Sequence, residues 1–299
     1  MTDLRVIFDF EVDFSNGGGI QGQDFRLDID SANVSDDVLS AHIIRDLRLL
    51  MVGEVRILNK KIIEERHKRS AQVADIDNGA VRTLIDLSHT IEDGMITYKG
   101  LPAPLICDHM SFADSHAHYA EGTEFNIGKI EMVANTGTYI DTPYHRYQNG
   151  YDLTGLPLER VSGVPGIVVR VAGAKDRTID WTLFAPYEVR GRAVLVHTGW
   201  DKHWGTDQYF EGHPFLTEKA AEYLLDNGAV VVGIDSLNID DTGGGTRPVH
   251  STLLGAEIPI VEHMTNLESL PIEGFTFVAT PPKIAGMGTF PVRAHALIG

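Results

Sequence analysis

The hydrophobic pattern changes character near residue 80, and the stretches on either side predict different kinds of structure. Upstream, Arg5–Phe14 and Phe25–Ile29 read as extended runs flanking the glycine-rich turn Asn16-Gly17-Gly18-Gly19. A helix is predicted next. Ser35 can cap it, Asp36 and Asp37 suit its positive end, and Arg45 and Arg48 suit its negative end. Leu39, Ile43, Leu47 and Leu50 recur at spacings of four, four and three, which predicts one buried stripe. Gly53–Asn59 reads as a further strand, and the polar stretch Glu64–Asn78 is the best linker candidate. Residues 1–80 are therefore read as a small, strand-rich α+β module, separate from residues 81–299.

From Thr83 onward, apolar and β-branched runs appear at Leu84–Leu87, Ile167–Val171, Ala193–Val196, Ala229–Ile234 and Phe275–Ala279. One helix between them is clear: Thr217 as N-cap, Ala220, Ala221, Leu224 and Leu225 inward, Gly228 as terminator. It runs straight into the continuous apolar stretch Ala229–Ile234, the pattern of a strand whose sheet is covered on both faces. The expected fold class is α/β, with polar residues at strand ends forming a site.

Composition narrows the picture. With 299 residues and 43% hydrophobic content, the chain can bury a core without disulfides or a structural metal. Its one cysteine, Cys107, rules out an intrachain disulfide and fits a reducing cytoplasm. No apolar run approaches about eighteen residues, so no membrane span is expected. The N-terminal run carries acids and lacks a basic lead, which does not suit a secretory signal. A net charge of −17 argues against nucleic acid as a partner. The glycines of Gly17–Gly19 and Thr242–Gly245 lack the sequence context of a phosphate loop, and Ser236 lacks a nucleophile elbow.

The densest polar cluster is Asn135-Thr136-Gly137-Thr138-Tyr139-Ile140-Asp141-Thr142-Pro143-Tyr144-His145, which follows the apolar stretch Ile130–Ala134 and so reads as leaving a strand end. If the chain is extended at Tyr139 to Asp141, those two side chains share a face. Pro143 holds Thr142 extended and turns the chain, which can bring His145 back toward Asp141. Further on, His250 and Glu262 are an imidazole and a carboxylate suited to a divalent ion, if the fold brings them near Asp141. Trp200, Trp204, Tyr209 and Phe210 could wall a pocket for a planar substrate or simply pack in the core. His89 follows a strand and reads as a packing or hydrogen-bonding group, and Asp235 and Asp240 as supporting or turn residues.

Residues 135–145 resemble the cyclase-family signature His-x-Gly-Thr-His-x-Asp-x-Pro-x-His, with Gly137, Thr138, Asp141, Pro143 and His145 in register. His197–Trp200, Tyr209–Pro214, Gly233–Asp240, His250 and Glu262 extend the resemblance from about Leu84 to Gly299. Asn135 and Tyr139 stand where the family carries histidines. The resemblance implies a swivelling β/α/β-type hydrolase core, in a family that includes bacterial kynurenine formamidases and isatin hydrolases. It implies Asp141, His250 and Glu262 as metal ligands and His145 as the proton carrier. The expected cofactor is one divalent ion per chain, zinc or manganese. Asn135 and Tyr139 would act as hydrogen-bonding catalytic groups, or would coordinate the metal through oxygen. The expected activity is hydrolysis of a carbon–nitrogen bond in a small amide or cyclic amide. The expected assembly is a cytoplasmic homo-oligomer, dimer or tetramer, in which residues 1–80 take part or cover the pocket. The competing expectation is a non-catalytic relative that binds a small molecule or a protein partner.

Overall fold

Alternation of Val6, Phe8, Phe10 and Val12 puts four apolar side chains on one face of strand β1 (Thr2–Phe14), and all four are buried. In this computed structural model, which describes residues 2–29, 33–47, 49, 51–66 and 83–299, they form the core of the first of two units, Met1–Gly79. β1 is the middle strand, antiparallel to β2 (Gly19–Ile29) and to β3 (Val52–Arg66). Helix α1 (Asp36–Asp46) starts where the Ser35 hydroxyl accepts from the Val38 amide at 3.4 Å, and it adds Leu39 and Ile43 to the core. The expected apolar stripe stops there. Leu47 is the C-cap residue and is 41% exposed, because the helix ends before its side chain can turn inward. Arg48 and Leu50 lie outside the described residues, as does the expected linker from residue 67 onward; its first residues belong to β3.

The second unit, Ala80–Gly299, is an α/β structure. Its strands, in chain order, begin with β4 (Thr83–Asp86), β5 (Leu105–Met110), β6 (Ile127–Glu131), β7 (Tyr139–Asp141), β8 (Ser162–Arg170) and β9 (Thr178–Ile179). There follow β10 (Ala193–His197), β11 (Phe215–Leu216), β12 (Val231–Ile234), β13 (Ile260–Glu262), β14 (Glu273–Val278), β15 (Thr289–Pro291) and β16 (His295–Ile298). Nine of them form one sheet in the order β15-β7-β13-β12-β10-β8-β14-β16-β4. The four central strands β13, β12, β10 and β8 run parallel, and the flanking strands pair antiparallel.

Both faces of that sheet are covered, as the apolar strand pattern predicts. Along β10, Ala193 and Leu195 enter one core while Val194 and Val196 enter the other. The second core is completed by helices: α2 (Phe112–Ser115) and α3 (Pro143–Arg146) are short, whereas α4 (Glu218–Asp226) and α5 (Pro248–Gly255) carry the packing. Ala220, Ala221 and Leu224 of α4 point into it, with Leu253 and Leu254 of α5. Leu225 does not; it is 37% exposed, one position round the helix from Leu224.

The polar cluster follows a strand, β6, that ends at Glu131, but that strand lies outside the nine-stranded sheet. Strand β6, with all its residues exposed, pairs only with β5 in a separate two-stranded ribbon. The cluster itself supplies β7, fully buried between β13 and β15.

Candidate metal centre

Cross-strand register builds the site. Tyr139 stands opposite Glu262 on β13, and Asp141 stands opposite Thr289 on β15. Because side chains alternate along a strand, Tyr139, Asp141, Glu262 and Thr289 project from the same face. Thr142 is extended before Pro143, and the α3 turn then carries His145 back until its Nδ1 is 3.6 Å from Asp141 Oδ1. His250 arrives from α5. Asp240 fixes it there, accepting from the Val249 amide at 2.8 Å, the His250 amide at 3.0 Å and His250 Nδ1 at 2.6 Å. One buried carboxylate thus caps the start of α5 and orients the imidazole.

With Nδ1 donating to Asp240, the neutral His250 that a metal would select has its lone pair on Nε2. It lies 3.7 Å from Asp141 Oδ2 and 3.7 Å from Glu262 Oε1. Ligand atoms about 2.0–2.2 Å from a tetrahedral ion sit about 3.3–3.6 Å apart, so His250 is close enough to share a divalent ion with either carboxylate. Asp141 Oδ2 supports the same fit: it is buried and has no hydrogen-bond partner. Donor atoms of Asp141, His145 and His250 also lie within 4.8 Å of one another. That is the one group of three such residues this close among the described residues; Glu262 joins it through His250, and of the four only the His145 side chain is substantially exposed, at 35%.

The field is strongly negative. Burial pushes the Glu262 carboxyl up to about 7, with Asp141 adding to the rise and His250 opposing it. Burial works against charge on His250, yet Glu262, Asp141 and Asp240 together push it up to about 10. Burial raises the Tyr139 phenol well above its usual range, and the charges of Glu262 and Asp141 add to this. Tyr139 therefore keeps its proton and donates it to Glu262 Oε2 at 2.7 Å, which does not suit phenolate coordination. The same bond commits that proton, so the phenol steadies Glu262 instead of reaching for substrate. Glu262 is held further by the Ile239 amide at 2.7 Å and the Asn238 side chain at 3.4 Å.

A cavity of about 280 Å³ opens onto this centre. Its wall includes Asn135, Tyr139, His145, His250 and Glu262, together with Tyr98, Leu101, Arg146, Asn238 and Arg247, which the sequence reading did not single out. Only the GIDSLNID run, which contains Asn238, gave a signal for any of those five. Thr289 had no signal at all: its role depends on a register set 148 residues away from Asp141. The aromatic segment does not wall this cavity. Trp204 and Phe210 line a separate one of about 410 Å³, and Tyr209 is buried with its hydroxyl 2.8 Å from His263 Nδ1. His89 packs as expected, stacked on Trp204 at 3.9 Å. Asp235 accepts three bonds from Thr198 and Gly199, a supporting role in the loop after β10.

Residues 85–241 match the family model described as "Putative cyclase". A kynurenine formamidase of Geobacillus thermodenitrificans is 29% identical over 177 residues, 58% of this chain and 81% of that protein. An uncharacterized protein of Methanocaldococcus jannaschii is 34% identical over 179 residues, 58% of this chain and 84% of that protein. Among solved structures, a potential metal-dependent hydrolase with cyclase activity superposes with a TM-score of 0.61 at 26% identity. That alignment covers 73% of this chain and 99% of the other. Isatin hydrolase A from Labrenzia aggregata gives a TM-score of 0.62 at 22% identity, covering 73% and 94%, a likeness of fold.

Proposed function

The chain belongs to the cyclase family, and on that premise we propose that it is a metal-dependent hydrolase of carbon–nitrogen bonds in small amides or cyclic amides. The observation that carries this reading is the cluster of Asp141, His250 and Glu262, with His250 Nε2 3.7 Å from each carboxylate, a buried and unpartnered Asp141 Oδ2, and His250 and Glu262 lining a cavity. The relatives named as kynurenine formamidases and the metal-dependent hydrolase of similar fold support it.

Asp141, His250 and Glu262 would hold one divalent cation, zinc or manganese. Such a cation supplies Lewis-acid polarisation of a carbonyl and makes water more acidic. His145, at the cavity wall beside Asp141, takes a proton from the attacking water. It returns that proton to the leaving nitrogen as the carbon–nitrogen bond breaks, giving an amine and a carboxylic acid. Asn135 faces the same space and is suited to orient the carbonyl or the water. Arg146 and Arg247 also line the cavity, and neither forms an ion pair among the described residues, so both can meet the carboxylate product.

The test is metal analysis of the purified protein together with hydrolysis of formanilide and isatin before and after chelation. About one divalent ion per chain is expected, with activity lost on chelation and restored by zinc or manganese. A protein that neither retains metal nor gains activity from it would instead be the non-catalytic binder that Asn135 and Tyr139 bring to mind.

A further inference from the structure

Thr289 is 3% exposed, and its hydroxyl lies between two groups of the site. Oγ1 donates to Asp141 Oδ1 and is 2.7 Å from His145 Nδ1. We propose that Thr289 is a positioning residue that fixes His145 as the Nδ1–H tautomer, leaving Nε2 as the atom that exchanges protons in the cavity. This inference rests on the reading of His145 as the proton carrier.

The argument is one of donor counting. A threonine hydroxyl has one proton and two lone pairs, and a carboxylate only accepts. The hydroxyl proton goes to Asp141, so what Oγ1 presents to His145 is a lone pair. A bare Nδ1 at 2.7 Å would set lone pair against lone pair. A protonated Nδ1 makes a hydrogen bond of ordinary length instead. The chain Nδ1–H to Oγ1–H to Oδ1 then runs in one direction, and its end occupies Oδ1, leaving Oδ2 of Asp141 for the cation. A histidine ligating through Nδ1 does not fit this chain.

The backbone fixes the distance. Thr142 donates to the Gly288 carbonyl through both its amide, at 2.7 Å, and its hydroxyl, at 2.9 Å. A Cβ on Gly288 would come within 2.3 Å of the His145 amide nitrogen. The absence of a side chain at Gly288 thus lets β15 press against the α3 turn, and the next residue is Thr289. His145 also lines the cavity, so the ring has one nitrogen tied to the protein and one left for substrate. In the reaction, Nε2 gains a proton from water as the carbon–oxygen bond forms, then loses it to the departing amine nitrogen. The Nδ1 proton stays in place throughout.

Two measurements on the full-length, metal-loaded protein test this. The first uses ¹⁵N-histidine labelling, with His145 assigned by difference from His145→Gln, and reads the tautomer without any substrate. Nδ1–H is expected in the parent, and Nε2–H at His145 in the parent overturns the proposal. The second compares Thr289→Val, isosteric but without a hydroxyl, with Thr289→Ser, which keeps one. With formanilide as probe, Val is expected to lower kcat by about 10- to 100-fold while KM changes less than about threefold, and Ser to recover most of the loss. Equal kcat in Val and the parent overturns the proposal, as does loss in Ser equal to that in Val. If the parent does not hydrolyse formanilide, the proposed function is what fails, and the tautomer measurement still decides the role of Thr289.

Discussion

Asp240→Asn separates the two tasks of the carboxylate behind His250. In the native chain Asp240 is 1% exposed and its two oxygens serve three donors, the Val249 amide, the His250 amide and His250 Nδ1. An asparagine has one acceptor oxygen and one NH₂ group, so one of the two oxygen positions must become a donor. If the NH₂ takes the Oδ1 position, it meets the Val249 N–H head-on and the start of α5 loses a capping bond, about 1 kcal/mol of stability. If it takes the Oδ2 position, it faces Nδ1–H, and the ring must turn or move its proton to Nε2. Nε2 is the atom 3.7 Å from both Asp141 and Glu262, so this orientation removes a ligand. Changes to groups that orient metal-bound histidines typically weaken metal binding about 10- to 100-fold, which is about 1.4–2.7 kcal/mol. Isothermal titration with zinc against a competing chelator reads the affinity, and circular dichroism checks the fold. A folded variant that keeps both its stability and, within threefold, its zinc affinity would refute the two tasks assigned to Asp240.

Three further outcomes are expected. Gly288→Ala places a Cβ against the backbone of Tyr144 and His145, so it is expected to cost about 1–3 kcal/mol in urea unfolding and more than tenfold in kcat; unchanged values would mean the α3 turn yields freely. His89 is held down to about 4 chiefly by burial, with Asp201 pulling the other way. The native state therefore binds fewer protons than the unfolded chain, and stability is lost as pH falls from about 6.5 to 4, by up to about 3 kcal/mol. His89→Phe keeps the ring stacked on Trp204 and should flatten that slope; an unaltered slope in urea titrations at pH 7 and 4.5 would place the acid sensitivity elsewhere. Asn135→His with Tyr139→His is expected to raise metal content from about one to about two ions per chain, read by elemental analysis, and two ions already in the parent would refute the single-ion reading.

The parts of the site that lie close in sequence were legible there, and the parts set by strand register were not. Alternation placed Tyr139 and Asp141 on one face, and Pro143 accounted for the return of His145, because both effects act within a few residues. The runs around Ala193–Val196 and Ala229–Ile234 announced a sheet covered on both sides, since such strands cannot afford a polar face. Thr289 was invisible because nothing local distinguishes it from any threonine in a short strand; only its pairing with Asp141 gives it a task. Leu47 and Leu225 fit an apolar count but face solvent, one at a helix end and one at the edge of the buried stripe. Trp200, Trp204, Tyr209 and Phe210 show the converse failure. Aromatic density marks a packed region, and here that packing surrounds His263 and a neighbouring cavity.

The departure at Tyr139 and the register opposite Glu262 explain each other. A histidine at position 139 would leave Glu262 Oε2 without the 2.7 Å donor it now has from the phenol. With tyrosine there, that oxygen is satisfied, the residue fills the space beside it at 1% exposure, and Oε1 is the oxygen turned toward His250. Asp141 divides its oxygens in the same way, Oδ1 to Thr289 and Oδ2 toward His250. Each carboxylate therefore offers one oxygen inward. Two carboxylates and a neutral imidazole carry a charge of about −2, which one divalent ion balances. A second ion would have to draw on a phenol that keeps its proton and on the neutral amide of Asn135, and would add about two positive charges with no carboxylate left to face them. On the proposed reading, the hydrogen bonds that steady the trio are the same ones that would limit it to a single ion.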